Sequence, residues 1–188
     1  SGESWTTPIV ISNLESDGNT EIDFASWTLD YRCDIAASST NVHVSWSEID
    51  ELGYEYIYVR SSTDKGSTWS DPISIGADDG EGWKYGTSIA TNEDHVVAVW
   101  LNGPMGSDTD YDVYASYSNN AGSSWQSPIQ ISDESGTQND YMPEIVYNNG
   151  KYHVVWSDCC LNYDILYSFT DNGGETWSSQ KALTGPKS

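Results

Sequence analysis

Basic residues are scarce in this chain: seven Lys and Arg stand against 29 Asp and Glu, a formal net charge of −22 over 188 residues. A surface this acidic repels phosphate backbones and anionic headgroups, which excludes nucleic acid and anionic membranes as partners. It keeps a chain soluble and suits an extracellular, saline or calcium-rich setting. Long apolar runs are also missing, and no stretch of 18 apolar residues occurs that could cross a bilayer as a helix. No secretory leader is visible, and the chain starts inside a repeat, as a mature product or an excised piece would. Cysteine is limited to Cys33, Cys159 and Cys160. These thiols are too few for a disulfide scaffold and lack zinc-ligand spacing; one bridge from Cys33 to Cys159 or Cys160 would leave an odd thiol. Helix-period patterning is absent.

What the chain does have is aromatic residues, nine Trp and 13 Tyr, set among Val and Ile, a composition that favours strands. Its length fits one domain with a sizeable core. The organising stretch is Ser62-Thr63-Asp64-Lys65-Gly66-Ser67-Thr68-Trp69. Ser62 and Asp64 can hold backbone N–H groups of a turn, Gly66 can take a positive φ, and Trp69 can anchor the turn to the sheet behind it. The pattern returns at Ser118, Asn120, Gly122 and Trp125, and with an extra Gly at Thr170, Asn172, Gly174 and Trp177; the chain opens on its tail, Gly2-Glu3-Ser4-Trp5.

The segments between these turns repeat too. An edge strand follows each Trp (5–12, 69–76, 125–132, 177–184), with a Pro in the first three. An inner strand then carries Ile35, Ile89 or Ile145. Eleven residues later, in a strand of period two, comes Trp46, Trp100 or Trp156. A third strand, Tyr54–Tyr58, Tyr111–Tyr114 or Tyr163–Tyr167, leads into the next turn. Four strands in 52 to 56 residues, the spacing of Trp69, Trp125 and Trp177, indicate propeller blades. The expected architecture is all-β: blade one over 31–76, blade two over 85–132, blade three over 141–184, and one orphan strand over 5–12. Three blades do not close a ring, so the open sides are expected to be completed by further blades or by self-association.

The turns, with their Ser/Thr-x-Asp/Asn-x-Gly-x-x-Trp pattern, resemble the Asp-box or BNR repeat of sialidase-like β-propellers, and the resemblance covers nearly the whole chain. It implies that the box residues are structural and lie opposite the ligand-binding face. That face would hold the starts of the inner strands and the loops after the second strands: Tyr31, Arg32, Glu48, Trp83, Tyr85, Tyr141 and Asp158 as candidate ligand-binding residues, with Cys33, Asp34, Ser47, Asn102, Glu144 and Asn162 nearby. Tyr31-Arg32 resembles the family motif whose Arg holds a sialic acid carboxylate, the bidentate chemistry a guanidinium suits. The sequence departs from it at Cys33 and Asp34, and an ion pair with Asp30 or Asp34 is the plainer role for Arg32. A sialidase needs three clustered arginines, whereas this chain has Arg32 and Arg60 alone.

Acid pairs for glycoside cleavage need separations of about 5 or 6.5–9.5 Å, and 29 acids make some such pair unavoidable. His43 and His153 share a second-strand position, which reads as packing. Asp108, Asp110 and Asp112 alternate; in an extended segment their carboxylates would share a side and suit Ca2+, or they are simply solvated. The function expected is a non-catalytic extracellular module that binds glycans or proteins. The alternatives are part of a sialidase-like glycoside hydrolase, or a structural subunit of an extracellular ring or filament.

Overall fold

The computed structural model describes residues 33–49, 54–76, 82–104, 110–133, 139–158 and 164–184. These form three four-stranded antiparallel sheets, each a meander in chain order. The first holds β1 (Cys33–Ala37), β2 (Val42–Ile49), β3 (Glu55–Ser62) and β4 (Ile73–Ser74). The second holds β5 (Trp83–Asn92), β6 (His95–Gly103), β7 (Asp112–Ser118) and β8 (Ile129–Gln130). The third holds β9 (Asp140–Asn148), β10 (Lys151–Asp158), β11 (Asp164–Thr170) and β12 (Lys181–Ala182). The outer strands are shorter than the sequence suggests, two residues each, and in the first two a Pro precedes the paired residues. The expected orphan strand at 5–12 lies outside the described residues.

Two apolar cores separate the sheets. One joins Ile57, Val59 and Ile75 of the first blade to Ile89, Val96, Ala98 and Trp100 of the second. The other joins Val99, Leu101, Val113, Ala115 and Ile131 of the second to Ile145, Tyr152, Val154, Trp156 and Leu166 of the third. Strand alternation produces this: each sheet presents one apolar face to the blade before it and the other to the blade after it. Inner strands are also tied side chain to backbone. Asp34 accepts from the Ile89 amide (2.9 Å) and the Ser88 hydroxyl (2.9 Å), and Ser88 accepts from the Ile145 amide (3.3 Å).

The three turns form as their residues dictate. Ser62 Oγ accepts from the amides of Gly66 (2.8 Å) and Asp64 (3.3 Å), and Asp64 accepts from the Thr68 amide (2.8 Å) and hydroxyl (2.6 Å). Ser118 with Asn120, and Thr170 with Asn172, repeat the arrangement. Each turn has two consecutive left-handed residues, Lys65-Gly66, Ala121-Gly122 and Gly173-Gly174, so the additional Gly of the third takes a slot that was already left-handed. Trp125 and Trp177 are half-buried and pack on the cores shared with the preceding blade. The glycines do the same: a Cβ on Gly122 would meet Ser61 and His43 of blade one, and one on Gly174 would meet Tyr117 of blade two.

Candidate functional site

The antiparallel meander gathers the starts of β3, β5, β7 and β9 and the ends of β2, β6 and β10 at the end of the sheets opposite the three turns. Between blades two and three this upper rim is built around Tyr111. Its ring lies on Gly103, where a Cβ would collide with it, and meets Tyr85 edge-on at 5.2 Å and 74°. Asn139 fastens the rim: its Oδ1 accepts from the amides of Asp110 and Tyr111, and its Nδ2 donates to the Tyr141 hydroxyl at 3.1 Å. The Asp140 amide donates to the Tyr111 carbonyl at 2.9 Å.

Asp140 is a buried carboxyl in this setting. Burial pushes it up to about 7; the Ser132 hydroxyl opposes this, and the charges of Asp112 and Asp158 add to it. Ser132 in turn donates to Asp112 (3.1 Å) and accepts from the Val113 amide (3.0 Å). Asp158 stands opposite both Asp140 and Asp164 in the ladder.

Glu55 forms the corresponding group between blades one and two. It is 2% exposed, and neither carboxylate oxygen has a hydrogen-bond partner of good geometry. Burial pushes its carboxyl up to about 7, and the Lys84 backbone N–H and ammonium group oppose this. Lys84 is itself buried, its stem passing over Gly76, where a Cβ would lie 2.8 Å from Lys84 Cδ. Burial first, then Tyr111, Tyr141 and Glu55, pushes the Tyr85 hydroxyl well up, so it stays protonated. At the mouth of β9, Met142 holds φ +51° in the slot where Gly86 holds +66°, beside the register shift that each of these two strands carries. Backbone outliers of this kind mark sites held by their surroundings.

Of the expected ligand-binding residues, the structure brings Tyr85 and Tyr141 together around Tyr111, and Asp158 beside Asp140. Trp83 is half-buried on the same core. Glu48 sits in the first blade and accepts from Trp46 Nε1 at 2.9 Å. Tyr31, Arg32, Asn162, Asp108, Cys159 and Cys160 lie outside the described residues. Asp34, expected to repel a ligand acid, and Glu144 instead belong to the Ser88 linkage between inner strands. Cys33 is an exposed free thiol. Arg60 binds the Ser70 carbonyl (2.7 Å) beside a turn, at the end away from the rim.

Asp110 holds φ +82°, which turns the chain before Asp112 opens β7. Among the described residues no three His, Cys, Asp or Glu side chains form a group that could hold a metal ion. Sequence reasoning missed Glu55, Lys84, Asn139 and Asp140. A signal existed: Glu55 fills the slot held by Tyr111 in the next repeat, and Lys84 the slot held by Asp140.

Comparison with solved structures gives the class. The chain has the sialidase-like β-propeller fold, with its three blades not closed into a ring among the described residues. A Trypanosoma rangeli sialidase in complex with the inhibitor DANA superposes with a TM-score of 0.57 at 10% identity, over 77% of this chain and 29% of that one. The NanB sialidase from Streptococcus pneumoniae gives 0.57 at 11% identity, over 82% and 44%. The α-L-arabinofuranosidase arb93a from Fusarium graminearum gives 0.57 at 13% identity, over 84% and 51%. The chain therefore spans about half or less of the length of these enzymes. By sequence, no family model and no curated protein matches it.

Proposed function

We infer that the chain is an extracellular carbohydrate-binding module of Asp-box type, taking a neutral oligosaccharide at the upper rim. The carrying observation is that half-buried Trp83 and Tyr141 share the upper rim with the half-buried carboxyls of Asp112 and Asp158, held in place by the buried pair Tyr85 and Tyr111. Sugars are held by aromatic faces for their C–H surfaces and by carboxyl and amide groups for their hydroxyls. A net charge of −22 and a rim rich in acids disfavour a ligand that carries its own carboxylate, sialic acid included. The resemblance to arabinofuranosidase and sialidase folds supports sugar as the ligand class, although fold by itself does not carry function. The test is calorimetric titration with arabino- and galacto-oligosaccharides and with sialyllactose. Binding of a neutral sugar, weakened at least tenfold by both Trp83→Ala and Tyr141→Ala, is expected; preference for sialyllactose, or binding indifferent to both substitutions, would contradict it.

A second reading rests on one observation. Asp140 and Glu55 hold protons near neutral pH with Asp112 and Asp158 close to the former, and a protonated carboxylic acid beside a second carboxylate is the equipment of glycoside cleavage. Under it the chain contributes part of a hydrolase site. Turnover of nitrophenyl arabinoside or galactoside, abolished by Asp140→Asn, would favour this reading over simple binding.

A further inference from the structure

Asn139 carries a side-chain amide whose orientation its neighbours dictate. It is 5% exposed and stands one residue ahead of β9, with its Oδ1 against the backbone N–H groups of Asp110 and Tyr111, the latter at 3.2 Å. A backbone N–H can only donate, so the carbonyl half of the amide faces blade two and the NH2 half faces the other way. There Nδ2 meets the Tyr141 hydroxyl at 3.1 Å. An NH2 group also can only donate, so the Tyr141 oxygen accepts this bond and its proton points away from Asn139.

The two blades do not need this bond in order to stay together. The Asp140 amide already donates to the Tyr111 carbonyl at 2.9 Å, and Ser157 Oγ donates to the Tyr141 carbonyl at 3.3 Å. Main-chain position at Tyr141 is therefore set by other groups, and what Nδ2 adds concerns the side chain. The neighbouring repeat supplies the contrast. There Trp83 fills the slot of Asn139, and Tyr85, in the slot of Tyr141, is 9% exposed with its ring edge-on to Tyr111. Tyr141 stays half-buried at the rim. We propose that Asn139 is a positioning residue of the rim site, fixing both the place of the Tyr141 ring and the sense in which its hydroxyl bonds. This rests on the reading of the rim as a sugar site: a sugar that reaches Tyr141 meets an oxygen that already accepts one bond from the protein. A carboxylate in place of the amide would keep both backbone N–H groups, which hold it ionised, but would have no proton to give. The Tyr141 hydroxyl would then turn its own proton inward, and its sense would reverse.

A double-variant cycle tests this, by calorimetric titration of arabino- and galacto-oligosaccharides at neutral pH into the wild-type chain, Asn139→Asp, Tyr141→Phe and the two combined. Each single substitution should weaken binding about five- to tenfold, the worth of one hydrogen bond. The combined variant should bind no more weakly than either alone, because Asn139 acts through the hydroxyl that Tyr141→Phe removes. A merely structural role for Asn139 would make the two losses multiply. Multiplying losses, or wild-type affinity in either single variant, overturns the proposal. A second measurement needs no variant: although Asn139 is buried, its side-chain NH2 resonances in labelled wild-type protein should shift saturably with the same sugars, and resonances that stay in place at saturation overturn the proposal too. Absence of any sugar binding by the wild-type chain is a different result, since it removes the sugar reading itself and the proposal with it.

Discussion

Substituting Gly122 by Ala isolates the contact that seats one blade on another. Gly122 holds φ +80° in the second turn, and a Cβ there would run into Ser61 Oγ, with Ser61 Cβ at 3.0 Å and His43 Nδ1 at 3.3 Å. Ser61 cannot easily retreat, because its hydroxyl is bonded to His43 Nδ1 at 2.8 Å. Left-handed backbone costs a non-glycine residue about 1–2 kcal/mol, and forcing atoms into a packed interface adds about 1–3 kcal/mol. Gly122→Ala should therefore destabilise the chain by about 2–5 kcal/mol. Gly150 is the internal control: its φ is +82°, but a Cβ would meet nothing within 4 Å. Gly150→Ala should cost the backbone part alone, about 1–2 kcal/mol. Urea unfolding of both variants at low protein concentration measures the difference. Adding Ser61→Gly to Gly122→Ala should recover the overlap but not the backbone cost. Equal losses for Gly122→Ala and Gly150→Ala would refute the idea that the turn sits against the preceding blade.

Other outcomes follow from the same geometry. Burial holds the His43 imidazole down to about 4, so below about pH 6.5 the unfolded chain binds a proton that the folded chain refuses until about pH 4. Stability should fall by about 3 kcal/mol across that window, and His43→Val, the residue at this position in blade two, should flatten the fall in pH-dependent urea melts. Glu55 works in the opposite sense: the unfolded carboxyl ionises near 4.3 and the folded one only near 7, so its contribution is present at low pH and lost as pH rises to 7. Glu55→Gln should accordingly raise stability by about 2–3 kcal/mol at pH 8 and little at pH 4, a pattern that thermal melts at the two pH values would reveal. Met142→Gly should relieve its left-handed strain and raise stability by about 1 kcal/mol, read from the urea midpoint. Trp125→Ala should cost about 2–3 kcal/mol, less than a fully buried Trp, because Trp125 is half-buried, and should leave sugar binding by the folded protein unchanged.

The fold was legible where its causes are local. A Ser, an Asp and a Gly within seven residues of a Trp specify their own hydrogen bonds, so Ser62, Asp64, Gly66 and Trp69 announce a turn without reference to the rest of the chain. The constant step from Ile35 to Trp46, repeated at Ile89 and Ile145, likewise encodes two paired strands. The site was less legible because burial there is made by two blades together. Nothing local to Glu55 says that it will lie under Lys84, and nothing local to Asp140 says that Ser132 and Asp158 will flank it. Position within the repeat was informative only as a mismatch, an acid where the neighbouring repeat has Tyr111. Trp125 anchors its turn from the lip of an interface, a place that leaves it half open and that its own repeat does not reveal.

The central claim is that this arc of blades recognises sugar at the end opposite its repeated turns. Each of the nine Trp indoles gives its own N–H resonance, so a single titration maps the contact. With arabino- and galacto-oligosaccharides added to labelled protein, the account predicts that the Trp83 resonance moves saturably while those of Trp69, Trp125 and Trp177 stay in place. Saturable shifts at the three turn indoles with Trp83 unmoved would contradict it.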